Sequence, residues 1–354
     1  MRAFGTACDA LHASEQDLAA VHGIGAGLAA TIVGRRNEVD VDDEMRRAAG
    51  VGARILTGLD AGYPARLREL QDAPPVVYVR GGWDGAAGRA VAIVGTRRPS
   101  AYGLDVAGSL GEVLGEAGVV VISGLARGID QAAHAGALRR GGTTVAVLGC
   151  GVDVVYPREH RPLMEAMLAR GAVVSEVPMG VHPAPQRFPL RNRLISGLAD
   201  AVVVVEGGVD SGSLITARHA AAQQRPVYAV PGSVFAPTSR GPHHLLARGA
   251  SVLQSPDDLL GRLGLPAPIR SGEGTAAVLG ADETRVLESL DEEPRHVDDI
   301  IERAGVGAGR ALAALVTLEV RGLVRRRTGQ RFVRRSAFDR LGSGGDTWPN
   351  HSLS

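Results

Sequence analysis

Lysine is missing from this chain: all 39 of its basic residues are arginine. That excludes a Schiff-base lysine, a lysine general base and the phosphate-binding P-loop, each of which needs the ammonium. Every cation is instead a planar, permanently charged fork suited to phosphate. Cysteine is scarce. Cys8 and Cys150 are far apart and form no CxxC, which argues against a disulfide framework or a thiolate metal site and for a reduced, cytoplasmic setting. Aromatics make up 3% of the residues, too few for a surface built mainly on stacked bases. No apolar run approaches about 18 residues, so no membrane span is expected. The start, MRAFGTACDALHASEQDL, lacks the apolar core of a signal peptide. An excess of either charge is absent too. A net charge of +1 excludes a uniformly basic nucleic-acid coat but leaves room for local basic faces.

What is present suggests two or three domains, since 354 residues at 45% apolar content can bury more than one core. Residues 1–75 read as a small helical domain. Within it LAAVHGIGAGLAATIVGRR sets Gly23, Gly25 and Gly27 before an apolar helical stretch, resembling a helix-hairpin-helix turn; a plain glycine turn between packed helices is the alternative. Across 76–264 short β-branched runs (VVYV, AVAIVG, VVVISG, TVAVLG, AVVSEV, AVVVVE, PVYAVPG, ASVLQ) alternate with helical segments. Continuous apolar runs indicate strands covered on both faces, hence an α/β fold with a doubly wound, mostly parallel, Rossmann-like sheet. Residues 265–280 read as a linker. Residues 281–340 give three amphipathic helices and a hairpin, a C-terminal winged helix, and the Gly/Ser-rich 341–354 should form a disordered tail.

In such a sheet ligands bind where strands end and helix N-termini point outward. AIVGTRRPS puts Arg97 and Arg98 after one strand, VISGLARGID puts Ser123, Gly124 and Arg127 after another, and EGGVDSGSLIT puts Gly208, Ser211 and Ser213 before a helix. Glycine lets backbone N–H groups approach a phosphate, and hydroxyls with the helix dipole complete an anion cradle. FPLRNRLISGLAD adds Arg191, Asn192 and Arg193 at the expected start of a further helix. Arginine there opposes the dipole, an arrangement a bound anion would compensate. The rival dinucleotide fingerprint fails, because neither AIVGTRRPS nor VLGCGVDVV supplies GxGxxG. Asp130 and His134 share a helical face but have no third ligand at recognisable spacing. Packing and capping explain them better, and no metal, cofactor or catalytic group is expected.

GTRRPSAYG, SGLARGIDQAAHAGAL, LGCGVDVVYPREH, SEVP, FPLRNRLISGLAD, EGGVDSGSLITARHAAAQQRPVYAVPG and GPHHLLARGA occur in this order. Together, over about residues 60–255, they closely resemble the DNA-processing protein A (DprA/Smf) family. The resemblance implies a cytoplasmic, single-stranded DNA-binding recombination mediator that protects incoming DNA and loads the RecA recombinase during natural transformation. It implies a homodimer and, as a further partner, single-strand-binding protein. It also implies a DNA pocket lined by Arg97, Ser123, Gly124, Arg127, Phe188, Arg191, Asn192, Arg193, Gly208, Ser211 and Ser213, with arginine standing where family members commonly carry lysine. Phe188 or Tyr102 would supply what base contact there is.

Two other classes compete. Nucleotide phosphoribohydrolases of related fold carry a catalytic glutamate in a PGGxGTxxE loop. Here Thr216 falls at that place, and a hydroxyl cannot act as that carboxylate. A winged-helix regulator of duplex DNA is the other. Residues 281–302 carry net −7 and residues 303–340 net +8. Arg325, Arg326, Arg327 and Arg331, with Arg334 and Arg335, surround the expected wing, where duplex phosphates or a protein partner could meet them.

Overall fold

A computed structural model describes residues 3–38, 40–83, 85, 88–266, 279–291, 293–320, 323–327 and 329–334. They fall into two compact units, residues 1–252 and 253–354.

The first unit opens with four short helices, α1 (Ala7–His12), α2 (Glu15–Ala19), α3 (Ala26–Arg35) and α4 (Val41–Gly50). Thr6, Ser14 and Asp40 cap α1, α2 and α4 through their side chains, and Gly25 begins α3 with no side-chain cap. The next element departs from the helical reading of residues 1–75: β1 (Ala53–Thr57) is a strand. Only Ala53 of its five residues is buried, and the strand lies between glycines, too short for a period to show in sequence. Then follow α5 (Ala65–Arg68), β2 (Val76–Gly81), β3 (Ala90–Val94), α6 (Ala101–Glu116), β4 (Val120–Ser123), α7 (Ile129–Arg139) and β5 (Thr144–Val147). After these come α8 (Arg161–Leu168), β6 (Ala172–Ser175), α9 (Arg187–Gly197), β7 (Ala201–Val204), α10 (Gly212–Ala222), β8 (Val227–Ala229), α11 (Arg240–Leu246) and β9 (Ser251–Val252).

These strands form one sheet in the order β1-β2-β6-β5-β4-β3-β7-β8-β9. β1–β2 and β2–β6 pair antiparallel, and every other neighbour is parallel. β3, β5, β6 and β7 are buried at every position, which is why their runs are apolar without alternation. The order reverses at β3: later strands add on one side through β6, then on the other from β7. The crevice of such a switch point lies beyond the carboxyl ends of β3, β4 and β7.

Helices α6 and α7 meet backbone to backbone. A Cβ at Gly111 would sit 2.3 Å from the Ala133 carbonyl oxygen, and one at Gly136 would sit 2.2 Å from that of Gly108. Glycine inside a helix costs about 1 kcal/mol relative to alanine; here it admits a contact that any side chain would block.

The second unit holds α12 (Pro256–Arg262), α13 (Ala281–Glu288), β10 (Arg295–His296), α14 (Val297–Ala304), α15 (Ala308–Val320), β11 (Val324–Arg327) and β12 (Arg331–Arg334). Val286, Leu287, Ile300, Leu315, Leu318 and Phe332 form a core between the helices and a three-stranded antiparallel sheet, β10-β12-β11. This is a winged helix with β11–β12 as the wing; β10, like β1, is a strand the sequence did not suggest. Most of the expected linker, the expected tail and Arg335 lie outside the described residues.

Candidate nucleic-acid interface

An open cleft of about 890 Å³ lies at the switch point. Its walls come from the loops after β3 and β7, the first turns of α9 and α10, and Pro237 and Arg240. Arg97, Arg98 and Arg240 reach it with exposed side chains. A smaller hollow beside it is lined by Gly124, Arg127, Tyr156 and Phe188, and shares Arg97 and Arg191 with the cleft.

The β7–α10 loop has the form expected of an anion cradle. Ser211 caps α10, its Oγ accepting from the Ser213 N–H at 3.3 Å and lying 2.8 Å from the Ser213 Oγ. Gly208 is exposed, and a Cβ there would meet nothing within 4 Å, so a phosphate can approach its backbone. Asn192 lines the cleft while its Nδ2 donates to the Gly212 carbonyl at 3.1 Å, fixing the α10 start against α9.

The β4–α7 loop is different and corrects part of the expected pocket. Gly124 N and Ala126 N both donate to Asp130 Oδ2, at 3.1 and 3.3 Å. The loop's N–H groups therefore face an internal carboxylate and not an external anion. Ser123 is wholly buried, its Oγ donating to the Ile93 carbonyl at 2.6 Å, and so binds β4 to β3 instead of facing a ligand. Leu125 holds φ at +56°, a left-handed conformation costing roughly 1–3 kcal/mol that persists because burial over-determines it.

Arg191 lines the cleft as expected, but its place on the helix is corrected. Helix α9 starts at Arg187, so Arg191 lies in its second turn and is buried. One guanidinium nitrogen donates to the carbonyls of Gly124 and Val147. A Cβ at Gly124 would fall 2.6 Å from that guanidinium, so the glycine makes room for Arg191 and not for phosphate. Burial pushes the Asp130 carboxyl above its ordinary range while Arg191 pulls it back; burial likewise lowers Arg191, with Asp130 opposing. Arg191, tied to two carbonyl oxygens and opposite in charge to the nearby Asp130, is a strut under the cleft floor. Arg193, two residues on, pairs with Glu176 and with Asp72 (3.3 Å) and lines a separate hollow.

Arg127 is exposed, and its guanidinium is engaged by Glu159. Phe188 lies within a short stack. Its ring is 5.7 Å from that of Tyr156 at 28°, and the Arg97 guanidinium stands 5.2 Å from its centroid. Tyr102 does not join them; its hydroxyl donates to the Pro231 carbonyl at 2.9 Å. Tyr156, Arg98 and Arg240 are the residues missing from the expected pocket, although VVYPREH, GTRRPS and TSRGPHH carried them. Thr216 is buried at the cleft floor. His134 is buried with Nδ1 2.6 Å from Thr144 Oγ1, and burial lowers its pKa to about 3. No group of three metal-ligating side chains occurs among the described residues. No helix among them is long and apolar enough to cross a membrane.

An arginine-rimmed cleft thus lies at the switch point of a doubly wound sheet, on a chain that also carries a winged helix. The chain belongs to the DNA recombination-mediator protein A family, whose model matches residues 54–264, and a DprA winged helix domain model matches residues 271–330. Protein Smf of Synechocystis is 33% identical over 355 residues, covering 90% of this chain and 89% of that protein. The solved DNA processing protein A of Streptococcus pneumoniae shares 37% identity and superposes with a TM-score of 0.61 over 66% of this chain and 81% of its own. That of Helicobacter pylori, described for its single-stranded DNA binding mode, shares 29% identity with a TM-score of 0.54 over 60% of this chain and 95% of its own.

Proposed function

We propose that this chain holds single-stranded DNA in the switch-point cleft and acts there as a recombination mediator, with no catalytic residue. One observation carries the reading: exposed Arg97, Arg98 and Arg240 share an open cleft with the cradle of Gly208, Ser211 and Ser213 and with the Phe188–Tyr156 stack. Arginine forks and backbone N–H groups take phosphates, and one aromatic pair meets a base. Sequence preference is therefore low and salt dependence steep. In the cell the bound strand would be handed to RecA during natural transformation, by a cytoplasmic homodimer that also meets single-strand-binding protein. Gel shifts comparing single-stranded with duplex DNA, with and without RecA and single-strand-binding protein, test this; preference for duplex overturns it.

Glu159 competes with DNA for Arg127. Glu159→Gln should therefore tighten oligo-dT binding about two- to fivefold, the scale of an exposed ion pair. A weaker complex would mean that Glu159 positions Arg127 for the strand.

The wing supports a second reading, contact with duplex phosphates. Arg326 and Arg331 are exposed on β11 and β12, Arg327 is half-buried between them, and Arg325 lies on the same strand. Helix α15, which would enter the major groove, exposes Leu312 and Val316. Those alkyl groups can offer a base edge only a contact with a thymine methyl, and the exposed Arg310 at the helix start pairs with Asp282, so duplex phosphate contact would fall mainly to the wing. Deleting residues 270–354 should leave oligo-dT affinity within about twofold and remove any duplex binding. Loss of single-strand binding by a folded deletion variant would move the site to the wing.

A further inference from the structure

We propose that Phe235 is a second stacking platform, taking an unpaired base just outside the cleft; this inference rests on the single-strand reading above. Phe235 is 92% exposed and Val234 beside it 75% exposed. No other aromatic among the described residues is so bare. The ring stands at the tip of the loop between β8 and α11, and that loop is fixed at both ends. Tyr102 donates to the Pro231 carbonyl at 2.9 Å, and His243 Nε2 lies 3.1 Å from that of Gly232. On the far side Gly207 N donates to the Thr238 carbonyl at 2.6 Å, and Gly241 N donates to that of Gly207 at 2.8 Å. Gly207 directly precedes the cradle loop, so the tip is anchored to the cleft wall itself.

Two residues beyond Phe235, Pro237 lines the cleft, and Arg240 follows with an exposed guanidinium. Two residues span at most about 7 Å, which places the ring at the rim. A strand held by Arg97, Arg98 and Arg240 and leaving past α11 meets this ring next. Any base offers a π-face to it, so the contact is tolerant of sequence. A second copy of the chain is the competing occupant. A tip of two apolar residues falls far short of the roughly 800 Å² per partner that a stable interface buries. The cation beside the tip also favours a polyanion over an identical, equally cationic surface.

The experiment compares wild type with Phe235→Ala, Phe235→Leu and Phe235→Trp by fluorescence anisotropy. Oligo-dT of about four nucleotides, short enough to stay in the cleft, is set against about sixteen. Phe235→Ala should bind the short oligomer as wild type does and lose about tenfold on the long one. Phe235→Trp should restore the long-oligomer affinity, and Phe235→Leu should not. Equal affinity of Phe235→Ala and wild type on both lengths overturns the assignment, as does an equal loss on both. A fall in mass from dimer to monomer on sedimentation of Phe235→Ala overturns it in favour of a contact between copies. Failure of the wild type on both lengths removes the single-strand reading together with this one.

Discussion

Arg191→Ala is expected to unfold more easily than wild type before any effect on DNA is measured. The guanidinium is buried, donates to two carbonyl oxygens, and offsets the burial of Asp130. Removing it leaves a buried carboxylate held by the Gly124 and Ala126 N–H groups and by Ser123, with no cation nearby, and leaving a buried charge uncompensated costs about 3–5 kcal/mol. Urea denaturation measures this directly. Adding Asp130→Asn should recover part of the loss, because the uncompensated charge is then gone. The pH dependence has a definite sign. Burial already raises the Asp130 pKa in the fold, and loss of the cation raises it further. A carboxyl whose folded pKa exceeds its unfolded value binds the extra proton in the folded state, so stability falls as pH rises through that window. The deficit of the variant therefore shrinks on acidification toward the ordinary carboxylate pKa of 3.8. Wild-type denaturation with weakened oligo-dT binding would make Arg191 a direct ligand and not a strut.

Gly103→Ala should be nearly as damaging, from the other side of the cleft. A Cβ at Gly103 would stand 2.3 Å from Glu206 Oε2 and 2.6 Å from its carboxyl carbon. Glu206 is buried and has no room to retreat without breaking its hydrogen bonds. It accepts from Ser100 N at 2.8 Å, Ser100 Oγ at 2.6 Å and Thr238 Oγ1 at 3.2 Å. One carboxylate thus joins the loop after β3, the end of β7 and the loop before α11. Overpacking costs roughly 1–3 kcal/mol, and each charge-assisted hydrogen bond lost adds about 1.5–3. A net loss of about 3 kcal/mol, with weaker DNA binding because the three walls separate, is the expected result. Gly34→Ala is the control, since that helical glycine is exposed and a Cβ there meets nothing within 4 Å. Its stability should stay level or rise slightly. Equal denaturation midpoints for both variants would show that the Glu206 junction yields easily.

How much of this was legible in sequence depended on what each residue's neighbours were doing. The strands of the sheet's centre announced themselves, because β3, β5, β6 and β7 are buried at every position and so read as unbroken apolar runs. Strand β1 did not, since an edge strand of five residues with only Ala53 buried carries no such run. The cleft's location followed from glycine at strand ends, and Gly208, Ser211 and Ser213 of the β7–α10 loop line it. The β4–α7 loop looked the same in sequence, yet its N–H groups point to Asp130, six residues after Gly124. A carboxylate at that separation reads as a helix cap until the fold turns it back onto the loop. Arg191 and Arg193 seemed equivalent. Two helical positions 200° apart cannot share a face, and only the packed structure shows that each is claimed by an internal acid. Tyr156 was visible in VVYPREH, but nothing local reveals that its ring lies against Phe188.

The glycine contact between α6 and α7 bears on the spacing of the two arms proposed to take phosphate, Arg97 and Arg127. Arg97 precedes α6 and Arg127 precedes α7, so the distance between their mounting points follows that between the two helix axes. Side-chain contacts breathe as rotamers hop, whereas a seam of backbone against backbone has no rotamers to change. The two arms are therefore mounted like the jaws of a fixed-gauge caliper, and in the reading proposed above only their tips would adapt to a strand. Substitutions at Gly111 or Gly136 would change the gauge itself, in a protein whose arginines would all still be present.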